Sequence, residues 1–387
     1  MLAAMDADNA ALTVAPGGRS YPAQVTFGTD VLQRLPAAVL LALVLVVLFG
    51  SRAQAHGGAP DGSNFSSAVV AVAPVREGRP AADPASLDGV VWQVVGADAV
   101  LQLTNTSGRQ IVVAGYEGEP FLRVGPDGVF ENRRSPATYL NADRYGTVEV
   151  PASADSQARP DWRKRSSGTR WQWHDHRIHW MARTLPPQVQ QQPAHPHRIL
   201  QWEVPFGISQ HSMVVRGELW WIPAGPAWPW LMSAATILAL PIAAARTVGA
   251  TPRTISRIAV TMIVLVAVAN VALSIGDVLA TPATLGAHSW AVTQALVPVI
   301  VAIGLAGAVW QDVPEDDANA DPLSLLVAAG ILAAGCGLAR VGELRASQIV
   351  NALPTWSVRA VIAASLMIII VPGALMVLRP ARSAATP

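Results

Sequence analysis

Three histidines fall within eight residues, Trp173-His174-Asp175-His176-Arg177-Ile178-His179-Trp180, and seven of the chain's eight histidines lie between His56 and His211. If this stretch continues a strand expected over Gly168–Trp173, His174 and His176 share a face with Cα atoms about 6.7 Å apart. Two imidazoles at that spacing reach one ion through bonds of about 2 Å. His179 then points the other way unless a turn intervenes, which makes it at most a peripheral ligand. Asp175 and Arg177 also fall opposite the histidines, where they would pair with neighbours or with solvent. Trp171 and Trp173 share that opposite face and are expected to fill a core.

A further donor set comes from His56. Ala53-Gln54-Ala55 has the A-x-A form of a signal-peptidase site, and cleavage after Ala55 would make His56 the first residue. Its amine and its ring could then chelate the same ion. An all-nitrogen site built from His56, His174 and His176 suits copper best among the first-row divalent metals. Cysteine and methionine play no part in it, so it would not be a blue-copper centre. The alternative is a histidine- and tryptophan-rich strand serving as a hydrogen-bonded surface or an interface. His195-Pro196-His197 reads as a solvated loop pair, and His211 and His288 as structural or interfacial.

Other chemistry finds little to stand on. The lone Cys336 excludes an intrachain disulfide or thiol pair, and the net charge of +1 provides no basic field for nucleic acid. Nucleophile-elbow, phosphate-loop, dinucleotide and zinc-protease motifs are all missing, so no motif supports an enzyme. Carboxylates at Glu117, Glu119, Asp127, Glu131 and Asp143 could include an acid–base pair. Arg133, Arg134, Tyr139 and Arg144 could bind an anion, or could pin a loop to a sheet.

The elements that must position these residues divide the chain into parts. Residues 1–55 form an N-region plus signal segment, with an apolar run at Pro36–Gly50 that is short for a membrane crossing. An uncleaved anchor helix is the other reading of that run. Residues 56–226 read as an extracytoplasmic all-β sandwich. Short β-branched runs are expected to be strands at Ser67–Val75, Val90–Val95, Val100–Leu103, Gln110–Tyr116 and Phe121–Val124, and again at Val148–Val150, Gly168–Trp173, Ile199–Val204 and Met213–Ile222. Turn residues such as Asn105-Thr106-Ser107-Gly108 separate them. Leu185–Pro196 is a proline- and glutamine-rich surface connection.

Residues 227–379 carry about five apolar spans, at Trp228–Ala245, Ile258–Ile275, Trp290–Trp310, Leu323–Ala339 and Ala360–Leu378, and residues 380–387 are a cytoplasmic tail. The spans hold no Asp, Glu, Lys, Arg or His, which argues against a pump or coupled transporter. Arg246, Arg253, Arg257, Arg379 and Arg382 lie on the side opposite the β-domain, against Arg340, Arg345 and Arg359 on the same side. That asymmetry agrees with a β-domain outside the cell membrane.

Two resemblances follow from these residues. An A-x-A-His-Gly start, a sandwich, a later H-x-H and trailing helices together resemble the copper-binding subunit of particulate methane and ammonia monooxygenases. By that resemblance His56, His174 and His176 would be copper ligands. The second β-domain of that subunit is missing here, and the helices are more numerous. Gly115–Arg123, Asn132–Asn141, Trp173–Met181 and Arg183–Pro187 resemble uncharacterised membrane proteins of actinobacteria, a family that brings no activity. The sequence thus predicts a membrane-tethered copper-binding protein that stores, buffers or delivers the ion, with the bilayer and another envelope protein as partners. The alternatives are a metal-free envelope interaction protein and a subunit of a copper monooxygenase-like complex.

Overall fold

The computed structural model describes residues 63–75, 87–142, 144–280, 296, 299–304, 306–307 and 322–371. Ten strands form two antiparallel sheets: β1 (Phe65–Pro74), β2 (Val90–Val95), β3 (Val100–Asn105), β4 (Ile111–Ala114), β5 (Pro120–Gly125), β6 (Gly128–Asn132), β7 (Trp162–Ser166), β8 (Arg170–Trp173), β9 (His197–Ile208) and β10 (His211–Trp221). The large sheet runs β1-β10-β9-β4-β5-β6-β7 and the small one β2-β3-β8.

Alternation decides which face each strand buries. In β2, Val90 and Trp92 turn inward while Val91 and Gln93 are exposed. Leu101 and Leu103 of β3 and Trp173 of β8 join Trp92 on the inner face. Facing them across the core are Phe121, Leu122 and Phe206 of the large sheet. Trp92 packs 5.1 Å from Phe206, and Trp173 lies edge-on to Phe121 at 6.2 Å, both centroid to centroid. In the long β9–β10 hairpin, Gly217 stands opposite Trp202. A β-carbon there would lie 2.0 Å from the indole, so only glycine lets Trp202 lie flat and donate to Ser67 Oγ at 2.9 Å.

Eight of the nine expected strand runs overlap a strand, whereas Val148–Val150 is irregular. Two strands are additional. β6 is a short return from the Gly125–Gly128 turn, and β7 (Trp-Arg-Lys-Arg-Ser) is an edge strand. Its charges carried no strand pattern, yet charge is how natural edges resist pairing with other chains. Arg163 pairs with Glu131 across β6 and β7 at 2.9 Å. Two one-turn helices, α1 (Pro136–Leu140) and α2 (Pro187–Gln191), punctuate the loops.

Beyond the sheets come α3 (Trp228–Thr247), α4 (Pro252–Ala280), α5 (Pro322–Leu338) and α6 (Thr355–Met367), with a 3-10 turn at Val341–Leu344. Two of them, α3 and α4, are long and apolar enough to cross a membrane. Of the expected bundle of about five spans, the described residues show these two. Over the described residues α5 and α6 have 17 and 13 residues, fewer than the roughly 20 that about 30 Å of hydrocarbon needs. α6 starts at Thr355, after Pro354, and the expected span at 360–378 runs past the described residues. The expected span at 290–310 lies largely outside the described residues, as do the signal segment, His56 and His288.

α4 also outruns its apolar stretch and takes in Asp277, so the apolar run understated the charge on this helix. Arg340 grips both Asp277 oxygens at 2.7 and 3.1 Å, and Asn351 donates to one of them at 2.7 Å. This network fixes the segment after α5 to the end of α4. The same segment holds the β-domain: Ser63 and Gln348 exchange backbone hydrogen bonds at 3.0 and 2.8 Å, and Gly225 N–H donates to Arg345 O at 2.8 Å.

Candidate metal centre

The histidine segment begins where β8 stops, at Trp173. Strand alternation therefore ends one residue before His174. Asp175 is fully buried and receives three side-chain bonds, from Trp173 Nε1 at 2.9 Å and from Arg177 Nε and Nη2 at 2.8 and 2.7 Å. Burial alone would push the Asp175 carboxyl up, but the Arg177 hydrogen bonds and charge outweigh it and hold the carboxyl below its ordinary value. Arg177 continues to Ala114 O at 3.3 Å and lies 5.0 Å above the Tyr116 ring. The expectation of solvent-facing partners for this pair is thus corrected: the two residues bind each other inside the domain.

That pair folds the chain into a turn closed by Ile178 N–H on Asp175 O at 3.1 Å. The turn brings His179 back beside His176, with ring centroids 5.6 Å apart and the rings edge to face. His176 N–H donates to Tyr116 Oη at 3.0 Å, and the Tyr116 hydroxyl in turn donates to Asn141 Oδ1. Burial, then the Asp175 charge, keeps that phenol well above its usual range and protonated. Gly146 covers the His176 ring at φ +63°, where a β-carbon would meet Cε1 at 2.8 Å. The loop after α1 therefore lids the site and needs glycine to do so.

His174 Nδ1 lies 2.8 Å from Ala99 O. A carbonyl only accepts, so Nδ1 carries the proton and Nε2 is the basic nitrogen. This tautomer is the usual arrangement for a metal-ligating imidazole. His179 is 1% exposed. Its Nδ1 faces Trp180 O at 3.4 Å, and its Nε2 is buried without a hydrogen-bond partner. Burial first, then the Arg144 charge, pushes the ring down to about 3, so it is neutral at physiological pH.

Sequence reasoning missed the residues on the other side of these rings. Asp98, next to Ala99, is fully buried and bound by Arg144 at 2.6 Å. Burial raises its carboxyl above the ordinary value, with Arg144 opposing. Asp98 Oδ1 and Asn141 Nδ2, like His179 Nε2, are buried with no partner among the described residues. Buried polar atoms left over in this way call for a water or an ion. The only local hint was Arg144, read as an anion contact or a loop pin; it pins.

The remaining candidates fall elsewhere. His195 and His211 are exposed, and His197 Nε2 bonds Gln192 O at 2.8 Å. Glu119 is buried and accepts from Ser135, Glu131 pairs with Arg163, and Arg133 pairs with Asp161, so these form no acid–base or anion site. Among the described residues, no three His, Cys, Asp or Glu side chains converge as a ready metal site. The chain matches no family model, no curated protein and no solved structure.

Proposed function

We propose that this chain is a membrane-tethered copper-binding protein whose β-domain, on the extracytoplasmic side of the cell membrane, stores, buffers or delivers the ion. The ligands would be His174, His176 and the amine and ring of His56 after cleavage at Ala55, with His179 as a further imidazole. The trailing helices, about five in all, would anchor the domain and its envelope partner.

The observation that carries this reading is the pairing of His176 with His179 beneath the Gly146 lid. With a metal bond of about 2 Å, an imidazole centroid sits about 3.2 Å from the ion. Two rings at right-angled to tetrahedral positions then have centroids roughly 4.5–5.2 Å apart. The 5.6 Å found here is slightly longer than that range. Since no three His, Cys, Asp or Glu side chains converge among the described residues, His174 would have to turn toward this pair, and the amine and ring of His56 would complete the set. A nitrogen-only donor set favours copper, as does the resemblance to the monooxygenase subunit.

The test is a Cu(II) titration, in detergent against a competing chelator, of the purified chain processed after Ala55. His174→Ala, His176→Ala and His179→Ala should each weaken binding, while His195→Ala and His211→Ala should leave it unchanged. Unchanged affinity in all three of the first group would refute the site. Loss confined to His195→Ala would move it to the proline-rich loop.

A further inference from the structure

The outer face of the small sheet carries a second constellation, unrelated to the histidines. Cross-strand register aligns Gln93, Gln102 and Gln172 in one row, and Val91, Thr104 and Arg170 in the next. Gln172 Nε2 donates to Gln102 Oε1 at 2.5 Å. Although it faces away from the core, Gln102 is only 6% exposed. A cleft of about 650 Å³ lies over these rows, within the size range of small-ligand sites. Its other wall is the extended segment Gln348–Asn351, and its rim is Leu279 and Ala280 at the end of α4.

The lining fixes the chemistry of an occupant. Arg170 is the only charged residue that lines the cleft; it is exposed, and no side-chain partner engages it among the described residues. Glutamine and asparagine amides each offer donors and an acceptor, a set matched to hydroxyl groups that also give and take. An arginine fork matches a phosphate. Leu279 is 73% exposed on the last turn of a membrane-long helix, where an acyl chain would pass.

We propose that this cleft binds a phosphorylated polyol, presented as the headgroup of an anionic membrane phospholipid. Arg170 holds the phosphate, the glutamine row with Asn351 reads the hydroxyls, and the acyl chains leave along Leu279. The site would seat the β-domain on the membrane surface at a chosen lipid. It requires α4 to lie in the bilayer and is independent of metal.

The full chain is reconstituted into phosphatidylcholine vesicles containing equal minor amounts of phosphatidylinositol, phosphatidylglycerol and phosphatidylserine. It is then extracted in mild detergent, and retained lipid is counted by mass spectrometry. Wild type should retain the two polyol lipids over phosphatidylserine. Arg170→Gln should lower their retention about tenfold, as loss of a charge-assisted contact does. Gln93→Leu and Gln172→Leu should abolish the preference over phosphatidylserine while phosphate-dependent retention persists. Gln93 is exposed on an edge strand, so Gln93→Leu keeps the test open if Gln172→Leu fails to fold. Equal retention of phosphatidylserine by wild type, or one lipid profile for wild type and all variants, overturns the proposal. Displacement of phosphatidylinositol by equimolar soluble inositol phosphate would also overturn it, since the ligand would then be free polyol phosphate.

Discussion

Arg177 grips both oxygens of Asp175 at 2.8 and 2.7 Å inside the β-domain, and this ion pair, rather than strand alternation, places the histidines on either side of it. A buried pair of this kind is sensitive to losing one member, because the survivor is left charged and unpaired. Arg177→Met should therefore destabilise the chain by about 3–5 kcal/mol. Adding Asp175→Leu should recover a large part of that loss. A double-mutant cycle on urea midpoints, measured in detergent, checks both statements; additive losses would mean that the pair is not coupled.

Trp173 links that turn to the core. It is 6% exposed, packs edge-on against Trp92 and Phe121, and donates to Asp175. Trp173→Ala should cost about 3–5 kcal/mol through the cavity it opens and the bond it removes. Trp220, on the solvent side of β10, is 38% exposed, and Trp220→Ala should cost under about 1 kcal/mol. Comparable losses at both positions would contradict the packing described here.

Much of this framework was readable in the chain, for identifiable reasons. β2 alternates buried with exposed positions from Val90 to Gln93 and a tight turn joins it to β3, where Leu101 and Leu103 face the core as their spacing predicts although Gln102 between them is buried too. β7 was unreadable because an edge strand is free to be charged, and Arg-Lys-Arg carries no period-two signal. Two histidines of the site could be named from their spacing. Their surroundings could not: Ala99 and Tyr116 reach them from tens of residues away, and Asn141 holds Tyr116, through contacts that leave no local trace. Alternation alone would turn His179 away, and the intervening turn that the sequence left open is what returns it beside His176, where an ion pair takes over from the sheet.

Neutral His179 makes stability depend on pH. Its ring titrates near 3 in the fold against 6.5 ordinarily, so between those values the unfolded chain binds a proton that the folded chain refuses. Stability from this residue is therefore complete above pH 6.5 and falls on acidification through that window, by at most about 1.4 kcal/mol per pH unit. The Asp98 carboxyl, held above its ordinary value by burial, and the Asp175 carboxyl, held below its own by Arg177, are common to wild type and to His179→Leu. The difference in stability between those two metal-free chains should thus shift toward the variant as pH falls from 6.5 to 4. A difference that stays flat over that range would show that His179 is not a neutral buried ring.

With the proposed donor set, copper binding depends on processing. Before cleavage the nitrogen of His56 is an amide and a poor ligand. After cleavage after Ala55 it is an amine with a pKa of about 8, whose proton a metal can displace. The precursor should hence bind Cu(II) far more weakly than the processed chain, and one extra residue before His56 should cost nearly as much affinity as His56→Ala. Each proton displaced on binding should weaken the complex about tenfold per pH unit below the pKa of its donor. The neutral ring of His179 has no proton to displace above pH 4, so His179→Ala should lower affinity without changing the slope of affinity against pH. His56→Ala, which keeps the amine but removes a ring, should change both. Isothermal titration of the processed, extended and substituted chains at several pH values provides the comparison. Equal affinity of processed and extended forms would rule out the amine as a ligand, and would leave the imidazoles of His174, His176 and His179 to hold the ion without it.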